Sequence, residues 1–172
     1  MSLREVLMKA VRTEEEGYRL YSEEAAKTKH PLVKGLFEEL AYDERVHAHK
    51  FRKLLETLEA TGKVEYSSEE LPSIEGRVKD VFEKIGEVAA LEEGEPYIQA
   101  LKTALELEKE SYRMYNSLWK ESGDPQAKAY YDVLRKEEYG HLASLENVLA
   151  YLTKSGMWFD VEESKRWNWM NM

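Results

Sequence analysis

Apolar positions recur at helical spacing along four long stretches of this chain. The first runs from about Leu3 to Lys29 and stops before His30-Pro31, since a proline pushes the residue before it out of the helical region. The second starts near Leu32 and closes at Thr61-Gly62, where the glycine suits a helix C-cap. The third begins near Pro96 and ends at Ser122-Gly123. Asp124-Pro125 then reads as an N-cap followed by a first-turn proline, opening a fourth helix that continues to about Ser155-Gly156. Residues 62–95 are different, with Ser67, Ser68, Pro72 and one short helical pattern through Val78, Val81, Phe82 and Ile85. Short links after the first and third helices predict two antiparallel hairpins. The long middle link lets the second hairpin lie back along the first, giving an all-α four-helix bundle with one long crossover.

Read on a heptad period, each predicted helix has an inward seam. The seams are Leu7, Ala10, Glu14, Gly17, Tyr21; then Val33, Phe37, Leu40, Glu44, His47, Phe51, Leu54, Leu58. The third helix gives Leu101, Ala104, Glu108, Ser111, Tyr115, Leu118, and the fourth Ala127, Tyr131, Leu134, Glu138, His141, Leu145, Val148, Leu152. Every seam is apolar at both ends and ionisable in the middle, with no Lys or Arg at its centre.

The chain also repeats itself. An offset of 94 residues aligns Leu3–Leu58 with Tyr97–Leu152 without a gap, and 14 of the 56 pairs are identical, more than chance supplies. The identities include Glu14/Glu108, Tyr21/Tyr115, Pro31/Pro125, Glu44/Glu138 and His47/His141, so the protein reads as a duplicated helical hairpin.

Glu44 with His47, and Glu138 with His141, are spaced to place a carboxylate and an imidazole on one helix face, a turn apart. Four carboxylates at one level of a bundle core would meet desolvation and mutual repulsion, roughly several kcal/mol for each uncompensated ion. Multivalent cations relieve both. Four ionised glutamates and two neutral imidazoles balance two divalent ions, and this oxygen-nitrogen donor set suits iron, with manganese the alternative, better than Cu(I) or structural zinc. Glu14 and Glu108 would be terminal ligands, Glu44 and Glu138 bridges, and His47 and His141 end ligands. A one-residue slip of phase would instead select Glu15, Glu16 or Glu110.

Around this set, Tyr21 and Tyr115 lie seven residues after Glu14 and Glu108, nearly on the same face. They read either as core aromatics or as phenols that hydrogen-bond a ligand carboxylate and fix its geometry. Tyr18 and Tyr112 read as packing residues. Gly17 and Ser111 either leave room for a small oxidant or simply allow close helix packing. Asp43 and Glu137 read as solvated neighbours of the seam, and His30 and His49 as surface residues.

Composition narrows the chemistry further. The 172 residues include no Cys, which removes disulfides, thiolate nucleophiles and thiolate metal ligands together. A net charge of −9 argues against a nucleic-acid-binding surface. No apolar run approaches a membrane span and no secretory h-region begins the sequence, so a cytoplasmic protein without membrane contact is expected. Residues 1–156 are expected to form the bundle. The aromatic tail 157–172, with Met157-Trp158-Phe159 and Trp167-Asn168-Trp169-Met170, is expected to pack on the bundle or on a partner subunit.

One Glu from each of two helices and Glu-x-x-His from each of the other two is the donor pattern of ferritin-like di-iron and di-manganese proteins. Over about residues 3–153 the chain resembles the rubrerythrin family of that superfamily. The resemblance rests on Glu14 with Tyr21, Asp43-Glu44-Arg45-Val46-His47-Ala48, Glu108 with Tyr115, and Glu137-Glu138-Tyr139-Gly140-His141. It implies a non-haem site of two Fe ions that reduces hydrogen peroxide, in a homodimer with helices exchanged between subunits or not. Two departures stand out. The four-cysteine rubredoxin module is missing, which implies an external electron donor such as rubredoxin. Rubrerythrins also carry an extra Glu three residues after the third-helix ligand, where this chain has Ser111. The resulting symmetry leaves a ferroxidase acting with dioxygen as an alternative, and a metal-free, partner-binding bundle as a third.

Overall fold

The computed structural model describes residues 2–67, 69–85 and 96–155. It contains α1 (Leu3–Lys27), α2 (Pro31–Thr61), α3 (Ile74–Ile85), α4 (Pro96–Glu121) and α5 (Pro125–Ala150), with a π-helical turn over Tyr151–Ser155. No strand occurs among the described residues. The tail 157–172 and residues 86–95 of the crossover, for which expectations were given above, lie outside the described residues.

Local chemistry sets the ends. Ser2 caps α1 in a reciprocal capping box with Glu5. The helix stops at Lys27 rather than Lys29, because Thr28 turns extended (ψ 137°) and its hydroxyl accepts from the His30 amide at 3.2 Å. His30 is itself the N-cap of α2, its Nδ1 accepting from the Val33 amide at 3.4 Å, so it is a half-buried capping residue and not a surface one. Gly62 closes α2 with φ +72°, a conformation only glycine takes without strain. Asp124 caps α5 through Gln126, and Pro125 fills the first turn. At the far end α5 does not stay α-helical to Ser155. The Tyr151 amide faces the carbonyls of both Asn147 and Val148, and its ring packs edge-on against Phe82 of α3 at 4.9 Å.

The hairpins α1/α2 and α4/α5 pack antiparallel to one another, α1 beside α4 and α2 beside α5. Two apolar plugs hold the bundle. One joins Tyr21, Leu32, Leu36, Phe37, Leu40, Ile98, Leu101, Leu145 and Val148; the other joins Leu7, Ala10, Phe51, Leu54, Tyr115, Tyr130, Tyr131 and Leu134. Burying each Leu, Ile, Val or Phe among them contributes about 1.5–3 kcal/mol. The plugs flank a polar layer, as the seams predict.

The crossover helix α3 lies outside the four-helix ring, over the junction of α2 and α5, with Ile74 and Val78 buried. Two glycines admit it. A Cβ on Gly35 would lie 2.5 Å from Val81 Cγ1, and one on Gly140 would lie 3.3 Å from Ile74 Cγ2. Gly140 immediately precedes His141, so the crossover is pressed against the polar layer.

Candidate metal centre

The polar layer gathers one carboxylate from each of α1, α2, α4 and α5, and two imidazoles. Glu14, Glu44, Glu108 and Glu138 are all buried, as are His47 and His141. The exposed residues Glu15, Glu16 and Glu110 fall on the outer face, and Glu15 pairs there with Arg52. Two overlapping groups have ligand atoms within 4.8 Å of one another: Glu14, Glu44, His47 and Glu138, and Glu44, Glu108, Glu138 and His141. Glu44 and Glu138 belong to both.

The geometry is close to twofold, following the duplication. His47 Nδ1 lies 3.2 Å from Glu14 and 3.5 Å from Glu138. Its counterpart, His141 Nδ1, lies 3.1 Å from Glu108 and 3.3 Å from Glu44. The two rings are stacked, with centroids 5.9 Å apart. Tyr21 on α1 donates its hydroxyl to Glu108 on α4, and Tyr115 on α4 donates to Glu14 on α1. Both phenols are buried, so each is a core aromatic and a carboxylate partner at once.

Asp43 and Glu137, expected in solvent, are the residues the sequence reading misplaced. His141 Nε2 lies 3.2 Å from Asp43, and His47 Nε2 lies 2.8 Å from Glu137. Each imidazole therefore turns Nδ1 to the glutamate cluster and Nε2 to an outer carboxylate. The reason is directional. One residue before the seam points sideways along the helix, here at the antiparallel neighbour, and the crossover covers what remains. The signal that could have found them was an acidic residue at both copies of that position. Of the other neighbours, Tyr112 packs near Tyr139, at 6.4 Å between ring centroids, whereas Tyr18 is 41% exposed. His49 is exposed, as read.

Electrostatics show a site crowded with charge. Burial, then repulsion from Glu44, pushes the Glu14 carboxyl well above its ordinary value. Burial alone would lower His47, but Glu137, Glu138 and Glu14 outweigh it and raise the imidazole well above 6.5. His141 is raised likewise, against burial, by Glu108, Glu138 and Asp43. Burial would raise Asp43 and Glu137, yet each is held below the ordinary carboxylate value, Asp43 by His141 and Arg77, and Glu137 by His47 and the Leu71 amide. Without a cation, protons balance the layer.

The donors fit a metal pair on an independent observation. Glu44 Oε1 and both oxygens of Glu138 are buried with no hydrogen-bond partner. Unsatisfied buried carboxylate oxygens are costly, and a cation is the partner they lack. Access comes from between α1 and α4, where a cavity of about 170 Å³ is lined by Gly17, Ser111, Glu44 and Glu108, with Glu16 and Glu110 at its rim. A Cβ on Gly17 would lie 3.1 Å from Glu44 Oε2, so the glycine leaves that carboxylate its room.

A four-helix bundle with this buried carboxylate-histidine layer defines a ferritin-like metal-binding protein. The rubrerythrin family model matches residues 5–149, and the chain belongs to that family. Its members are generally di-iron proteins of oxidoreductase character. No curated protein and no solved structure matches the chain significantly. No helix among the described residues is long and apolar enough to cross a membrane.

Proposed function

We propose that this protein is a non-haem di-iron oxidoreductase that reduces hydrogen peroxide, with electrons from a separate donor. The observation that carries the reading is the pair of shared carboxylates, Glu44 and Glu138, of which Glu44 Oε1 and both Glu138 oxygens are buried without a hydrogen bond. Glu14, Glu44, His47, Glu108, Glu138 and His141 would hold two ions, iron for preference and manganese as the alternative. When bound in the ferrous state, the ion pair supplies the two electrons that peroxide reduction consumes. The chain's own residues do the rest. Tyr115 and Tyr21 fix Glu14 and Glu108, Glu137 and Asp43 fix the imidazoles, and the two apolar plugs keep the layer dry. The cavity at Gly17 and Ser111 admits a molecule the size of peroxide.

The reading includes an external donor such as rubredoxin, since none of these 172 residues is a cysteine. A homodimeric, cytoplasmic protein, with residues 1–156 as the bundle and 157–172 as a packing tail, completes the proposal. Stopped-flow mixing of the reduced, iron-loaded protein should show faster oxidation by peroxide than by dioxygen. The reverse order would overturn the peroxidase reading.

The acidic rim at Glu16 and Glu110 favours one other reading, a ferroxidase in which ferrous iron enters as substrate. Catalytic iron oxidation by dioxygen with assembly into a cage would support it. A plain dimer without mineral uptake would exclude storage.

A further inference from the structure

The two halves of the centre are nearly identical in their glutamates and histidines, but the crossover touches them differently. Glu137 divides its work between two oxygens: Oε2 faces His47 Nε2 at 2.8 Å, and Oε1 accepts from the Leu71 amide at 2.6 Å. Asp43 uses one oxygen for two donors. Its Oδ2 lies 2.5 Å from Arg77 Nη2 and 3.2 Å from His141 Nε2, while Oδ1 is buried with no partner. Arg77 stands on α3 and is fixed on three sides, by Glu39 at 2.5 Å, by Asp43, and by the Tyr42 ring at 5.6 Å. Gly35 and Gly140 allow the helix close enough for this contact.

A carboxylate that accepts from the outer nitrogen of a ligating histidine makes the inner nitrogen a stronger donor to metal. A guanidinium on the same oxygen competes for the lone pairs and places a permanent cation beside the half-site. A backbone amide on the other oxygen does neither. We propose that Arg77 is a positioning residue through which the crossover weakens the His141 half-site, so that the His47 half-site, anchored by Glu137 and the Leu71 amide, binds metal first and more tightly. The inference rests on the metal-binding reading given above.

Cobalt(II) titration of the metal-free full chain, followed by ligand-field absorption, tests it. The wild type should take up two equivalents whose affinities differ by about tenfold or more. Glu137→Gln should weaken the tighter equivalent and Asp43→Asn the weaker one. Arg77→Met and Arg77→Gln, which remove the charge, should tighten the weaker equivalent by about tenfold and leave the other in place, while Arg77→Lys keeps the inequality. Tightening is the diagnostic outcome, because loss of a merely structural contact would loosen binding. Equal affinities in the wild type, or Arg77 variants that loosen the weaker equivalent or move both together, overturn the proposal and leave the metal reading standing. A wild type that takes up no cobalt overturns the metal reading itself.

Discussion

The Tyr115 hydroxyl on α4 donates to Glu14 on α1, across the boundary between the two hairpins, and Tyr21 on α1 donates back to Glu108 on α4. Each hairpin thus steadies a carboxylate that belongs to the other. Tyr115→Phe or Tyr21→Phe removes one such bond and leaves one oxygen of a buried carboxyl without its donor. The expected loss is about 1–3 kcal/mol in urea unfolding. Metal affinity should fall by about tenfold or more as the carboxylate loses its fixed orientation. Variants that match the wild type in both measurements would mean the phenols only fill space.

Protons and metal compete for the same layer. Glu14, His47 and His141 are all raised, so the folded metal-free protein binds more protons than the unfolded chain, and stability falls as pH rises. The histidine contributions are complete below the unfolded value of 6.5 and are lost as pH climbs through the higher folded values. That of Glu14 declines from 4.5 upward. Asp43 and Glu137 are held low and act in the opposite sense; their stabilisation is full above the ordinary carboxylate range and is lost only in acid. Melting curves of the metal-free protein should therefore show Tm dropping as pH rises from neutrality. The metal-saturated protein should lack that drop, since cations replace the protons.

Removing a shared carboxylate should separate binding from stability. Glu138→Gln keeps the side chain's shape and discharges a group whose two oxygens have no hydrogen bond. Metal analysis should find occupancy lost at both positions. The metal-free variant should nevertheless unfold at higher denaturant than the metal-free wild type, because the layer sheds one of its crowded negative charges. A less stable metal-free variant would contradict the charge-crowding account.

The docking of α3 can be tested by a sign change. Gly35→Ala should gain about 0.5–1 kcal/mol of helix propensity but drive a methyl into Val81, whose branched side chain cannot step aside. Overpacking costs about 1–3 kcal/mol, so the single variant should be destabilised. In a Val81→Ala background the same change should be neutral or stabilising. A double-mutant cycle by thermal unfolding reads the coupling.

How much of this was legible beforehand follows from what repeats. The bundle, its hairpins, the Gly62 and Asp124 caps and the convergence of Glu14, Glu44, His47, Glu108, Glu138 and His141 all lie in the duplicated part, where two copies of a period reinforce each other. Asp43 and Glu137 were misread because a seam distinguishes inside from outside, whereas these residues point sideways, and only the antiparallel placement of α2 beside α5 gives them a partner. Arg77 has no copy. It lies in the unrepeated crossover, and its reach to Asp43 depends on close approaches at Gly35 and Gly140 that no linear pattern encodes. The early stop of α1 at Lys27 and the π-helical turn after Ala150 are boundary effects of a single residue's backbone and of Tyr151 meeting Phe82.

The exchange of partners across the bundle has an ancestral corollary. A single hairpin holding Glu14, Tyr21, Asp43, Glu44 and His47 lacks the phenol donor for its own Glu14 and the acceptor for the outer nitrogen of its own His47. Two identical copies meeting about a twofold axis would supply both at once. Joining two such copies in one chain would therefore need no new coordination chemistry; it would free one linker to become the crossover, and with it the means to make equal halves unequal.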